Sequence, residues 1–309
     1  MGRIWAIALN TFREAVRDRV LYGVVGFGAL VQLFALALAE LSLDQEARVV
    51  RDVGLASVSL FSVIVAVFLG SSLLYKEIER KTLYVILPKP IRRDELLLGK
   101  YVGIVLTAAV LVGFTGGLQL LLQATVAGLS GAVAVLVVVG LAAALGLAVW
   151  KAPDPTLALP GIAALALAVG AGIALASGVE AWPIVWALAL VLGEVVLLSS
   201  VAMFFSSFST PFLTGAFTVG VWLLGRSAGE MASIRSSVLP DAVRSFLHAL
   251  AWIVPNFQLF VPSHRLLEGI VPGQVPVASY VATSVGYGAL YAGILLFGSV
   301  LVFRRRDFL

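Results

Sequence analysis

Eleven charged side chains fall within the 26 residues from Lys76 to Tyr101: Lys76, Arg80, Lys81, Lys89, Arg92, Arg93 and Lys100 against Glu77, Glu79, Asp94 and Glu95. Mixed charge at this density suits ionic docking to a soluble surface, not bond-making. Elsewhere the sequence places one ionisable residue, Glu194, well inside an apolar run. An acid at mid-membrane costs about 2.5–3.5 kcal/mol on insertion scales, so Glu194 must face a partner or a cavity. It reads equally as a substrate-path or gating residue and as a hydrogen-bonded packing residue. Gln119 and Gln123 are the polar residues nearest to it in kind, and all three are candidates for a substrate path.

The chemistry that is missing narrows the function. There is no cysteine and there are two histidines, His248 and His264, which excludes disulfides, thiol catalysis and a histidine-rich metal site. No His-Glu-x-x-His or Gly-x-Ser-x-Gly appears, so no catalytic residue and no metal ligand is assigned. Gly99-Lys100 lacks the earlier glycine of a phosphate loop, so the chain does not bind ATP by that means. The net charge of +4 reflects inner loops, and no nucleic-acid partner is expected.

The elements that carry these residues are set by hydropathy. Of 309 residues, 61% are hydrophobic and 12% charged, and the mean hydropathy is +1.05. A soluble domain carries roughly 25% charged residues. The fold expected is all-α, a polytopic transmembrane helix bundle in a single domain over 1–309. Residues 1–20 read as an amphipathic interfacial helix with Trp5 as a belt residue. A signal peptide ending near Ala37-Leu38-Ala39 is the alternative, but the apolar run is of full span length and retention is expected.

Spans are expected at about 21–41, 53–75, 101–123, 131–150, 157–177, 183–206, 208–224 and 277–303. Residues 226–276, rich in proline and aromatics, read as short re-entrant or interfacial helices in the outer leaflet. Both termini then share a side, and 15 of the 21 Lys and Arg fall there, which makes that side the cytoplasm. Arg226 counts among the six outer residues in this scheme. The segment 76–100 becomes a cytoplasmic loop. Ile78, Leu83, Ile86 and Leu87 have helical spacing, Pro88 and Pro90 break it, and Asp94 is the expected cap of the next helix. A basic loop of this kind can also be a topology signal and nothing more.

The run Glu77-x-Glu79-Arg80-Lys81-Thr82-Leu83, then Leu87-x-x-Pro90-Ile91-x-Arg93-x-x-Leu96 and Gly99-Lys100, resembles the cytoplasmic loop of ABC type-2 permeases. The start, Ala8 to Glu14 through Arg19, is similar to that family's interfacial helix, and Ser206 to Ser209, Pro255-Asn256-Phe257 and the tail from Phe303 also resemble it. The resemblance implies six core spans, so the pair at 131–177 is extra. It implies a homodimer or pseudodimer in the bacterial cytoplasmic (inner) membrane among membrane lipid. Two copies of a cytoplasmic ABC ATPase subunit would carry ATP and magnesium, with no cofactor on this chain. It also implies that Glu77, Glu79, Arg80, Thr82, Leu83, Pro88, Pro90, Ile91, Arg92, Arg93 and Asp94 form a coupling helix seated in the ATPase. The activity expected is export of an amphiphilic or lipid-like substrate. The alternative is a membrane scaffold serving maturation, assembly or motility, and an integral membrane enzyme acting on lipids is a third reading.

Overall fold

The structure is a computed structural model describing residues 2–79, 92–151, 154–233, 240–262 and 275–305. Within them it is all helix. The order is α1 Gly2–Val16, α2 Arg19–Glu40, α3 Glu46–Glu79, α4 Arg93–Val126, α5 Gly131–Lys151, α6 Ala158–Ala176, α7 Ala181–Ser206, α8 Pro211–Arg226, α9 Ala228–Ser233, α10 Asp241–Ile253 and α11 Val277–Arg305. Seven helices among the described residues are long and apolar enough to cross a membrane. The exception among the eight expected crossings is α8. Its 16 residues reach about 24 Å, less than a hydrocarbon core of about 30 Å.

The most buried helix is α7, which packs between α3, α4 and α11. The second hub, α4, is built for close approach. An added Cβ at Gly99 or Gly103 would sit 2.6 Å from Ile7 or Thr11 of α1. The same addition at Gly117 would lie 2.6 Å from the Ala166 carbonyl of α6. Gly113-x-x-x-Gly117, a weak motif in so glycine-rich a chain, is therefore the seam against α6. Of the extra pair, α6 is locked onto α4, whereas no described residue of α5 is buried. Both α4 and α6 end on glycines with positive φ, Gly128 at 108° and Gly178 at 80°. The next amides return to Ala124 and Ala174, the bond pattern that needs a left-handed residue at that place.

The amphipathic reading of the N-terminus has a physical counterpart in α1. Ala8, Thr11, Phe12 and Ala15 are buried, and Trp5 is exposed. Arg13 pairs with Asp154 in the turn between α5 and α6. The Thr156 hydroxyl donates to Asp154 at 2.9 Å. That bond first, then the Arg13 charge, holds the Asp154 carboxyl below its ordinary value.

The 3-10 turn Phe257–Phe260 is wholly buried at both phenylalanines. Phe260 wedges between Gly193 and Gly288. Gly193 is twelve residues into α7, about 18 Å from its outer end, so this segment reaches mid-bundle. Three tyrosines of α11 hold the backbone from Ile253 to Leu259. Tyr280 donates to the Leu259 carbonyl, Tyr291 donates to the Ile253 carbonyl, and the Asn256 amide donates to Tyr287.

Candidate functional site

The first locus is the lower end of α3 and α4. Each is 34 residues long, about 51 Å, well beyond a hydrocarbon core of about 30 Å. Glu77 and Glu79 continue α3 without a break. Arg80, Thr82, Leu83, Pro88, Pro90 and Ile91 lie outside the described residues, as does most of the helix expected from Glu77 to Leu87. Arg93 opens α4. The expected cap at Asp94 is corrected: Arg92 holds the N-cap position, and its amide donates to Glu95 Oε2 at 3.2 Å. Asp94 instead sits in the first turn, where its charge opposes the positive end of the helix dipole. Lys100, read from sequence as part of the loop, is buried inside α4.

The second locus lies within the bundle. Glu194 is 0% exposed and sits midway along α7. Its carboxylate accepts from Ser59 of α3 at 2.9 Å and from the Trp222 indole N–H of α8 at 2.8 Å. Arg226, the last residue of α8, donates Nε to it at 3.3 Å and Nη2 at 2.9 Å, and Nη2 also reaches Ser59 at 3.0 Å. The guanidinium carbon stands 5.0 Å from the Trp222 ring centroid. So a buried acid is neutralised by a bidentate arginine and its remaining lone pairs are filled, the condition for holding such charges in a low dielectric.

Two corrections follow. Arg226 is not an outer-loop residue; short α8 ends at the depth of Glu194 and carries it there. Gln119 and Gln123 do not approach Glu194. They donate to the Val50 and Ala47 carbonyls at 2.9 and 2.8 Å and tie α4 to α3. Gln123 also lines an outward cavity of about 600 Å³ with Arg48, Arg51 and Glu180. Sequence reading missed Ser59, Trp222 and Arg226. The available signal was Trp222 and Arg226 spaced i, i+4 at the end of an apolar helix, which places both on one face.

Beside the ion pair, α3 and α8 enclose a cavity of about 420 Å³, lined by Ser59, Trp222, Arg226, Leu55 and Leu60, with Asp52 also on its wall. No group of three or more His, Cys, Asp or Glu able to hold a metal occurs among the described residues. The geometry supplies a polar node inside a membrane bundle and two long helices leaving it toward a charged segment.

Comparison with known proteins agrees in kind. The family model described as ABC-2 family transporter protein matches residues 5–308. The chain is similar to the probable ABC transporter permease protein NosY of Stutzerimonas stutzeri, with 31% identity over 123 residues, 37% of this chain and 44% of that protein. The matched part thus spans less than half the length of that relative.

Proposed function

The chain belongs to the ABC-2 family of transporter proteins, and from that premise we propose that it is the permease subunit of an ATP-driven exporter of the bacterial inner membrane. ATP and magnesium are bound by a separate ATPase subunit, two copies of which serve two copies of this chain. One observation carries the reading: α3 and α4 run on as unbroken 34-residue helices into the charged segment at 76–101. A rigid helix transmits displacement along its axis, so ATPase movement at the segment arrives in the bundle at α7, against which both helices pack. Rigid-body rocking of this kind fits alternating access. The coupling contacts are Glu77, Glu79, Arg80, Thr82, Leu83, Pro88, Pro90, Ile91, Arg92, Arg93 and Asp94.

The cargo is amphiphilic or lipid-like. Polar groups in the spans are few, and most are consumed by bonds to a carbonyl of their own helix, as for Thr107 and Thr115, or of a neighbouring one, as for Gln119 and Gln123. The similarity to a probable ABC transporter permease supports the permease reading. The test is co-purification with an ATPase subunit from the native membrane. Replacement of Leu83, Arg92 and Arg93 is expected to abolish complex formation and substrate-stimulated ATP hydrolysis while the chain still inserts. Unchanged coupling in that variant would overturn the assignment of the loop.

A further inference from the structure

Two glycines seat the phenylalanine turn beside the ion pair. Gly193, which precedes Glu194 on α7, leaves room for Phe260, whose ring an added Cβ would meet at 2.7 Å. Gly225, which precedes Arg226 on α8, leaves room for Phe257 and the Pro255 carbonyl. The turn is hydrogen-bonded to the tyrosines of α11, and among the described residues no such bond joins it to α7 or α8. The end of α8 therefore rests on the turn by contact alone. Among the described residues, the side-chain hydrogen bonds from α8 to α3 and α7 all run through Trp222 and Arg226. At its other end α8 leaves α7 by a short turn with Pro211 at the first helical position. We propose that α8 is a hinged cover over the Ser59–Ser62 face of α3, latched by Glu194 and Arg226 and seated on Phe257, and that its release opens a hydrated cleft into the bundle. The proposal deepens the transporter reading and rests on it for the force that moves the cover.

What lies under α8 points to a second arrangement. The helix runs antiparallel over α3: Arg226 reaches Ser59 at 3.0 Å, and an added Cβ at Gly215 would meet Val67 at 3.9 Å. Ser62 follows Ser59 by three residues and so shares its face of α3. It is wholly buried, and its hydroxyl has no partner among the described residues. Buried hydroxyls such as those of Ser57 and Ser200 bond a carbonyl of their own helix. An idle one is a cost in the closed arrangement that water would remove. On its other side α8 exposes Phe212, Phe217 and Leu223, so no described element bars outward movement. The latch answers to the coupling helices. Ser59 sits on α3 and Glu194 on α7, and a bidentate pair holds only at its proper separation, so displacement of α3 against α7 loosens Arg226. Freed charges cannot stay dry, so opening and wetting go together.

The chain has no cysteine, so one introduced thiol is read without background. Ser62→Cys in the full chain in detergent is reacted with a charged methanethiosulfonate. Labelling should be slow, and Arg226→Lys, which keeps the charge but loses the fork, should speed it about tenfold. Thr115→Cys reports general loosening, because Thr115 is buried on α4 where Gln32 of α2 bonds its carbonyl, away from α8. It should stay unlabelled in the Arg226→Lys background. In the complex with the ATPase subunit, ATP and magnesium should speed labelling of Ser62→Cys about tenfold with the latch unaltered. Fast labelling of Ser62→Cys at rest, no response to Arg226→Lys, or an equal response at Thr115→Cys would overturn the latch. A complex that hydrolyses ATP while labelling ignores the nucleotide would overturn the cover and leave the exporter reading standing. Failure of any ATPase to join the chain, with the Arg226→Lys response intact, removes the exporter reading and leaves the latch.

Discussion

Glu194, wholly buried at the middle of α7, is held by Arg226 at the end of α8 through a 2.9 Å bond from Nη2. Removing one partner leaves the other charge in a low dielectric. Arg226→Gln should therefore cost about 3–5 kcal/mol, whereas the double change Glu194→Leu with Arg226→Leu should recover most of the loss. Thermal melting of the two variants in detergent checks this. Equal losses in single and double variants would show that the charges are not coupled.

The glycines of α4 separate packing from propensity. Gly117→Ala drives a methyl into the Ala166 backbone and should cost about 1–3 kcal/mol. Gly172→Ala on α6 meets nothing within 4 Å and should be neutral or raise stability by up to about 1 kcal/mol. Melting temperatures of opposite sign are the expected readout.

Legibility followed the range of each signal. Hydropathy is summed over some twenty residues, so the spans and the charged segment stood out, and Glu194 stood out against its apolar setting. What failed was depth and partnership. Arg226 was placed outside because a cation after an apolar run ordinarily marks the membrane edge. Nothing local says that α8 stops at 16 residues or that Ser59, 135 positions from Glu194, completes its shell. The start of α4 was misplaced by two residues because Asp94 is a good cap by type, yet the bond from the Arg92 amide to the Glu95 carboxylate marks the boundary.

That bond gives a local prediction. Glu95→Ala should cost about 1 kcal/mol at the first turn of α4, visible as faster amide exchange at Leu96 to Gly99 with the middle of the helix unaffected.

The Arg13–Asp154 contact titrates in one direction. The Asp154 carboxyl is held below its ordinary 3.8 by Thr156 and then by Arg13. Its contribution is thus fully present above that ordinary value and is lost as pH falls through the lowered folded value. Docking of α1 on the α5–α6 turn, followed by amide exchange or cross-linking, should be constant from pH 5 to 8 and loosen only below about 4. Asp154→Asn should abolish the dependence.

The most direct measurement on the central claim is recovery of the tagged chain from its native membrane in mild detergent, beside the Leu83, Arg92 and Arg93 variant. The account predicts that an ATPase comes with the wild-type chain in a two-to-two complex and is absent from the variant. Recovery of the wild-type chain alone, even after cross-linking through the lysines between Lys76 and Lys100, would contradict it and reduce that segment to a marker of membrane orientation.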